Sequence, residues 1–188
     1  VLETGLGGRA DSTNVTEKEL CVLTRVGLDH QEVLGSNLQE IAAEKIGITR
    51  TEIPVIVAEQ VPELKPWLAE QFRKTKVPAF FVDEIFATEF PENNLSLKFS
   101  SKPQLACIQT SLCAMQVLFN GDRLQQQKWL EAAQRVQIRG RLDLRQNVFW
   151  EKHRHHFKSV VLDGGHNHDA LVALVEFLSA NKLFPCTL

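Results

Sequence analysis

The chain has 188 residues, a hydrophobic fraction of 44%, a charged fraction of 23% and a formal net charge of -2 at pH 7. These values are typical of a globular protein with room for one α/β domain and part of a second, and they exclude a strongly basic chain that binds nucleic acid or anionic membranes. No apolar run approaches the ~20 residues of a membrane span, and the first residues lack a signal pattern. We therefore expect a cytoplasmic protein whose four cysteines, which have no C-x-x-C spacing, are reduced thiols.

Apolar runs of strand length alternate with segments of helical periodicity. The predicted strands are Leu20–Val26, Pro54–Ala58, Ala79–Val82, Leu142–Phe149 and Ser159–Leu162, with a possible edge strand at Leu95–Phe99. The predicted helices are Asn37–Ile48, Pro62–Lys74, Pro103–Asn120, Arg123–Val136 and Asn167–Asn181. This alternation predicts βαβ units, and hence an α/β fold with a Rossmann-like, mainly parallel sheet.

Two helices carry further local signals. Ser36, followed three positions later by Gln39, predicts a capping box at the start of the first helix. The last helix is amphipathic, and its expected inward residues are Leu171, Leu174, Val175 and Leu178.

The two ends of the chain have strand-like sequences, Val1–Glu3 and Phe184–Leu188. Because domains seldom begin or end inside core elements, we expect an internal piece of a longer protein. A domain boundary is predicted near Gln137–Arg141, which divides the chain into an incomplete domain at 1–137 and the beginning of a smaller α/β domain at 138–188.

The first motif is the glycine-rich run Glu3–Asn14, ETGLGGRADSTN. A carboxylate at the end of a strand, followed by a glycine turn, is where open α/β sheets bind ligands. The run also satisfies the dinucleotide pattern G-x-G-x-x-A, but that pattern must open an apolar helix. Because Asp11–Glu19 is polar, nicotinamide binding is not favoured.

Two more motifs follow in the first half of the chain. His30, in GLDH, comes after the first predicted strand, where a lone histidine is commonly structural or exposed. Its place beside the loop of Glu3 would let both side chains hold a divalent ion. Lys45, in AAEKIGI, forms a solvated pair with Glu44 in the plainest interpretation. However, an amine between apolar residues is costly unless it is modified or paired.

The second half contains GRLD and LDGGHN. Arg141, at the predicted domain joint, can reach phosphate with its planar, always-charged guanidinium. Asp163 and His166 lie at a strand end just before a helix N-terminus, where anions bind. The alternatives are that Asp163 is a plain turn residue and that Asn167 is a helix N-cap.

A histidine cluster, His153, His155 and His156, precedes the last predicted strand. We favour a solvated loop over a metal site, because no cysteine or carboxylate set completes a coordination shell.

Taken in order, ETGLGGRADSTNV, GLDH, AAEKIGI, GRLD and LDGGHN resemble the folylpolyglutamate and dihydrofolate synthases of the Mur ligase superfamily. The resemblance runs over essentially the whole chain and is weakest at Glu59–Lys102. It implies the central ATPase domain of a ligase that adds L-glutamate to folate or dihydropteroate through an acyl phosphate, followed by the start of its carboxy-terminal domain.

The resemblance also implies roles for individual residues. Glu3 and His30 match the two magnesium ligands, and Lys45 matches a lysine that many members carbamylate, so His30 and Lys45 count as catalytic. Arg141, Asp163 and His166 match groups that bind ATP. The implied cofactor is Mg²⁺, and the implied partners are ATP, L-glutamate and folate or dihydropteroate. Nucleic-acid and membrane partners are not expected, and the full-length protein is expected to be a monomer.

The sequence departs from the family pattern at three positions. Arg139 and His168 stand where the family has proline, and Cys107 stands where it has an asparagine that contacts ATP. In addition, no G-x-x-G-K-[ST] phosphate loop occurs in these residues. We therefore expect the chain alone to be inactive, and the alternative to an enzyme is a non-catalytic remnant that acts at most as a binding piece.

Overall fold

The computed structural model describes residues 1–90, 101–136, 138–184 and 186. They form two compact units, one with residues 1–90 and 106–129, the other with residues 101–105 and the described residues from 130 onward. The predicted strand Leu95–Phe99 and residue Gln137 lie outside the described residues. The division into domains at 137/138 stays a prediction.

The first unit is built around a three-stranded parallel sheet. Its strands are β1 (Cys21–Leu23), β2 (Val55–Val57) and β3 (Ala79–Phe81), and they lie side by side in the order β1-β2-β3. The register pairs Leu23 with Val57 and Val57 with Phe81, so all three strands end at the same edge. The predicted α/β fold with a parallel sheet is confirmed.

Helices cover both faces of this sheet. On one face, α2 (Leu38–Lys45) and α3 (Leu64–Thr75) pack through Ile41, Leu68 and Phe72, all at most 1% exposed. On the other face, Ile56 packs with residues of α4 (Val82–Glu89) and α5 (Lys102–Phe119). All three residues of β2 are buried, as expected of a central strand covered on both sides.

The start of α2 differs from the predicted capping box by one residue. Asn37, not Ser36, is the N-cap, and its side-chain oxygen accepts the backbone N–H of Glu40 at 2.9 Å. Glu40 in turn accepts the backbone N–H of Ser36 at 2.7 Å. The predicted partner Gln39 was wrong because the helix begins one residue later, which moves the reciprocal position to Glu40.

The second unit contains an antiparallel hairpin and a helix. Strands β4 (Asp143–Trp150) and β5 (His155–Leu162) pair from Asp143↔Leu162 to Trp150↔His155, and α7 (His168–Ala180) follows. The remaining helices are α1 (Gln31–Leu34) and α6 (Arg123–Ala133), and 3₁₀ turns lie at Ser12–Val15, Ile46–Ile48 and Glu151–His153. No helix in the described residues is long and apolar enough to cross a membrane.

Three predictions about these elements were wrong. Val1–Glu3 is not a strand: its three residues are exposed and pair with no strand of the described residues. In α7, Leu171 and Val175 were predicted to face inward but are more than half exposed, whereas Leu178 is buried as predicted, together with Phe177. The amphipathic pattern identifies the apolar face of the helix correctly, but it does not show which residues of that face are buried against the rest of the unit.

The histidine cluster is also placed differently. His155 and His156 begin β5, where the prediction had a solvated loop. Their rings contact aromatic neighbours: the His156 ring lies tilted, 4.5 Å from the Phe149 ring, and the His155 ring lies edge-on, 4.7 Å from the Phe157 ring, centroid to centroid. Cross-strand and adjacent aromatic contacts of this kind stabilise an extended pair of strands.

Candidate functional site

The glycine-rich loop is organised by one carboxylate, that of Asp11. Its Oδ2 accepts the backbone N–H groups of Gly5 at 3.0 Å and Leu6 at 3.2 Å. Its Oδ1 accepts the backbone N–H of Thr13 at 2.9 Å and the Thr13 hydroxyl at 2.6 Å. These donors, the Thr13 hydroxyl first, lower the pKa of Asp11 to about 2. The loop is therefore a preformed turn closed on an ionised side chain.

This loop packs directly on the end of α2. A Cβ at Gly8 would lie 2.7 Å from the backbone oxygen of Lys45, and a Cβ at Gly47 would lie 2.5 Å from the Cβ of Arg9. Only glycine at both positions lets the two backbones come this close. The structure thus brings the first motif onto the third.

Arg9 fastens this contact. Its backbone N–H donates to the Glu44 carbonyl at 2.9 Å, and its guanidinium donates to the Glu44 carboxylate at 3.2 Å and to the Ala43 carbonyl at 3.1 Å. Asn14 adds a bond from its side-chain amide to the Gly47 carbonyl at 3.2 Å. The carbonyls at the end of a helix have no partners within the helix, and here the loop supplies them.

Lys45 is the last residue of α2 and is half-buried. The Glu44 carboxylate, its expected partner in the plainest interpretation, is bonded to Arg9. In the part of the chain that the structure describes, the Lys45 ammonium makes no hydrogen bond or ion pair. The arrangement leaves this amine available for a group that is not part of the described chain.

His30 precedes α1 in the left-handed conformation, with φ 51°. Its exposed imidazole lies between two carboxylates, 3.9 Å from Asp29 Oδ1 and 3.9 Å from Glu32 Oε1. Helix α1 also touches the glycine loop, since a Cβ at Gly7 would lie 2.9 Å from the Leu34 side chain. The second motif therefore lies next to the first.

Glu3 lies on the exposed segment before the loop, and no hydrogen bond or ion pair joins it to His30 among the described residues. No group of three or more histidine, cysteine, aspartate or glutamate side chains suited to hold a metal occurs there either. This donor set does not fit zinc, which needs three or four protein ligands. Magnesium keeps several waters and binds through one or two carboxylates plus phosphate oxygens, so Glu3 is the member of the pair with the type of ligand that it prefers, and the assignment of Glu3 and His30 to a metal stays a prediction.

In the second unit, Asp163 joins the two remaining motifs. Its Oδ2 accepts the backbone N–H of Leu142 at 2.7 Å, and its Oδ1 accepts that of Gly165 at 2.7 Å. A backbone bond from Gly164 N–H to the Gly140 carbonyl, 2.9 Å long, lies beside it. Asp163 is thus a structural bridge between GRLD and LDGGHN, beyond the turn role considered from the sequence.

Arg141 and His166 lie around this bridge. Arg141 is exposed, and its Nη1 lies 3.6 Å from where a Cβ of Gly164 would be. The exposed His166 ring places Nδ1 3.1 Å from the Gly164 carbonyl. Asn167 is the N-cap of α7, as one interpretation of the sequence expected, and accepts the backbone N–H of Ala170 at 3.0 Å. The three predicted ATP-binding side chains therefore gather at one helix N-terminus, a place that favours anions.

Sequence reasoning missed the residues that hold this arrangement together. Arg9 and Asp11 stand inside the first motif, yet no role was assigned to them. For Asp11 a signal exists, because an aspartate two residues before a threonine is typical of a side chain that caps a local turn. For Arg9 no local signal exists, since its partner Glu44 is 35 residues away.

Comparison with known proteins finds relatives along nearly the whole chain. The dihydrofolate synthase/folylpolyglutamate synthase of Haemophilus influenzae is 31% identical over 199 residues, which cover 97% of this chain and 44% of that protein. No family model matches the chain. The chain spans about half the length of the curated relatives that it matches from end to end.

Solved structures share the fold. The folylpolyglutamate synthase of Mycobacterium tuberculosis, complexed with ADP and AMPPCP, matches with a TM-score of 0.73 at 22% identity, over 94% of this chain and 42% of that one. The bifunctional folylpolyglutamate synthase/dihydrofolate synthase of Yersinia pestis, complexed with AMPPNP and a Mn ion, matches with a TM-score of 0.70 at 23% identity, over the same shares. At these identities the likeness concerns the fold alone.

Proposed function

We propose that this chain, which belongs to the folylpolyglutamate synthase/dihydrofolate synthase family of the Mur ligase superfamily, is part of an ATP-dependent ligase that adds L-glutamate to a folate or to dihydropteroate. The observation that carries the proposal is the match to the Haemophilus influenzae relative along 97% of the chain. The nucleotide complexes of the Mycobacterium tuberculosis and Yersinia pestis neighbours support ATP as the second substrate.

The reaction class makes a carboxylate reactive towards an amine. The γ-phosphoryl group of ATP passes to the carboxylate of the pterin substrate, which gives an acyl phosphate and ADP. The amine of L-glutamate then attacks the acyl carbon, the C–O bond to phosphate breaks, and phosphate leaves. The product is an amide. Phosphate is a good leaving group, whereas direct attack on the carboxylate would have to expel oxide, which is a poor one.

In the first unit we assign Glu3 and His30 to hold a divalent cation, taken to be Mg²⁺. Such an ion neutralises charge on the transferring phosphoryl group. Lys45 is assigned as the carbamylated lysine, and its unpaired amine among the described residues supports this role. A carbamate there would place negative charge and two acceptor oxygens at the end of α2.

In the second unit we assign Arg141, Asp163 and His166 to ATP. The supporting observation is that the three side chains gather around the Gly140–Gly164 backbone bond at the start of α7. Asp163 already accepts two backbone bonds, but a carboxylate has about four lone-pair sites and can still accept a ribose hydroxyl. Arg141 presents its guanidinium to phosphate without an ion-pair partner among the described residues.

The test is incorporation of labelled L-glutamate by the protein that the natural gene encodes, with and without ATP. Wild type should label dihydropteroate, folate or both, and separate reactions with each acceptor decide between the two activities. Glu3→Gln should lower the rate about 100-fold or more, because a metal contact to a phosphoryl oxygen contributes several kcal/mol. Glu19→Gln, an exposed carboxylate outside the loop, is the matched control.

A folded wild-type protein that labels neither acceptor in the presence of ATP and Mg²⁺ would contradict the proposal and favour a non-catalytic remnant. Equal rates for Glu3→Gln and Glu19→Gln would contradict the metal assignment alone.

A further inference from the structure

A buried glutamine, Gln60, lies where the ladder between β1 and β2 ends. It follows β2 by three residues and is 8% exposed. The last backbone bond between the two segments runs from the Ala58 N–H to the Leu23 carbonyl at 2.9 Å. Beyond it the chain after β1 has no strand neighbour on this side, so its backbone groups need other partners.

The side-chain amide of Gln60 provides them. Its Oε1 accepts the backbone N–H of Val26 at 2.9 Å, and its Nε2 donates to the carbonyls of Thr24 at 3.1 Å and Ala58 at 2.9 Å. The orientation of the amide follows from its partners, because an N–H can only donate and a carbonyl can only accept. The Gln60 side chain therefore takes the place of a strand neighbour for the backbone groups of Thr24 and Val26.

The segment fixed in this way leads straight to the candidate metal site. Val26 is 1% exposed and is followed by Gly27-Leu28-Asp29-His30. His30 itself is exposed; its backbone N–H donates to the Asp29 carboxylate at 2.9 Å, and its carbonyl accepts the backbone N–H of Leu34 in α1, also at 2.9 Å. These bonds fix the end of the segment at α1, and the Gln60 bonds to Thr24 and Val26 fix its other end, next to β1.

We propose that Gln60 is a positioning residue: its amide fixes the path of the segment between β1 and His30 and so aims the His30 imidazole. The part of the proposal that concerns metal binding rests on the proposed function, whereas the positioning of the segment does not. An apolar side chain at this place would leave one N–H and two carbonyls without their partners, and the segment would open locally rather than with the whole unit.

The experiment uses the isotope-labelled protein that the natural gene encodes, with AMPPNP present, and has two readouts. Amide hydrogen exchange reports on opening of the segment, and line broadening of the His30 ring by Mn²⁺ reports on metal contact. Gln60→Met keeps the length and removes the polar atoms. Val55→Ala is the matched control, because it weakens the same strand at its other end, where Val55 is 1% exposed.

In Gln60→Met, exchange at Val26 and His30 should accelerate about tenfold or more relative to wild type, while exchange in α3 keeps its rate. The Mn²⁺ concentration that half-broadens the His30 ring should rise several-fold. Val55→Ala should accelerate exchange at Val26 and in α3 together.

Exchange at Val26 that stays at the wild-type rate in Gln60→Met, or that rises only in step with α3, overturns the proposal. Local acceleration combined with no Mn²⁺ broadening of His30 even in wild type supports the positioning role and contradicts the metal assignment of the proposed function.

Discussion

At the scale of the residue, the Asp11 carboxylate decides the shape of the glycine loop. Its pKa of about 2 lies below the ordinary 3.8 because the Thr13 hydroxyl and then backbone N–H groups donate to the ionised form. A carboxylate with a lowered pKa stabilises the fold fully above its ordinary pKa and loses that contribution as pH falls through the lowered value. The loop should therefore stay closed at pH 4 and open towards pH 2.

The measurement is a pH titration of the Gly5 and Leu6 amide shifts, which should move with a midpoint near the lowered pKa of about 2. Asp11→Asn, which keeps one acceptor oxygen but no charge, should abolish that midpoint and speed amide exchange at Gly5. A midpoint at the ordinary value of an aspartate would show that the four donors do not favour the ionised form.

The proposed carbamylation of Lys45 rests on the family resemblance and can be tested by chemical rescue. A protonated amine beside a bound divalent cation is repelled, whereas a carbamate reverses the charge and offers two acceptors. In the complete natural protein, Lys45→Ala should lose most of the ligase activity and recover part of it with added short carboxylates. Lys74→Ala, an exposed lysine on α3, should change neither. Near-normal activity of Lys45→Ala without additive would rule out the role.

Most of the candidate site residues could be identified from the sequence, but the residues whose hydrogen bonds fix the surrounding backbone could not. Asp163 and His166 follow an apolar run and precede a helix, and the structure brings both to that helix start. In contrast, Arg9 bonds to Glu44 and Gln60 bonds to Val26 across 35 and 34 positions. Such contacts join residues that are distant in the sequence, so no local sequence pattern can predict them.

At the scale of the element, the contact between the glycine loop and α2 requires Gly8. An added Cβ would lie 2.7 Å from the Lys45 carbonyl and 2.9 Å from that of Glu44, and backbone atoms cannot move aside as a flexible side chain can. Gly8→Ala should therefore displace the loop and destabilise the unit by about 1–3 kcal/mol. Chemical denaturation, together with amide exchange in the loop and at the end of α2, measures both effects.

The matched control for this prediction is Gly5→Ala. Gly5 lies in the same loop, and a Cβ there would meet only the Asp11 carboxylate at 3.4 Å, an ordinary contact distance. Its backbone N–H, which donates to Asp11, is kept in alanine. If Gly5→Ala and Gly8→Ala destabilise equally, the close approach of loop and helix is not the reason for the glycine at position 8.

Element type was largely predictable, and element boundaries were less so. Strands β1, β2 and β3 lie within or match the predicted runs, because a buried parallel strand needs a short, continuous apolar sequence. They are shorter than predicted, since β1 keeps only Cys21–Leu23 of an apolar run of seven residues. Val26 is buried but is not a strand residue. Its backbone N–H donates to the Gln60 side chain and not to a neighbouring strand. A hydrophobic run therefore predicts which residues are buried, whereas backbone hydrogen bonds to a neighbouring strand decide which of them form a strand.

At the scale of the whole molecule, each unit gathers its own motifs. The glycine loop contacts α1 through Gly7 and the end of α2 through Gly8 and Arg9, and the last two motifs meet at the start of α7. GLDH follows β1 and LDGGHN follows β5, so the sequence predicted where these two motifs lie, but it did not predict the contact between the glycine loop and AAEKIGI at the end of α2. The division between the units was less accessible, because the boundary falls inside helices rather than in a linker that composition can mark.

The last prediction concerns the 188-residue chain by itself. We expect it to bind ATP weakly through its second unit and neither to hydrolyse ATP nor to ligate glutamate. The phosphate loop of such enzymes supplies backbone N–H groups and a lysine to the β- and γ-phosphates, and these residues contain no G-x-x-G-K-[ST] run. Titration with ATP should shift the amides of Arg141 and Gly165 with a dissociation constant of about 1 mM, which corresponds to a binding free energy of about -4 kcal/mol. Arg141→Gln should remove the shifts, and Arg73→Gln, an exposed arginine on α3, should keep them. Labelled glutamate incorporated by the wild-type chain above a Glu3→Ala control would show that the prediction of inactivity is wrong.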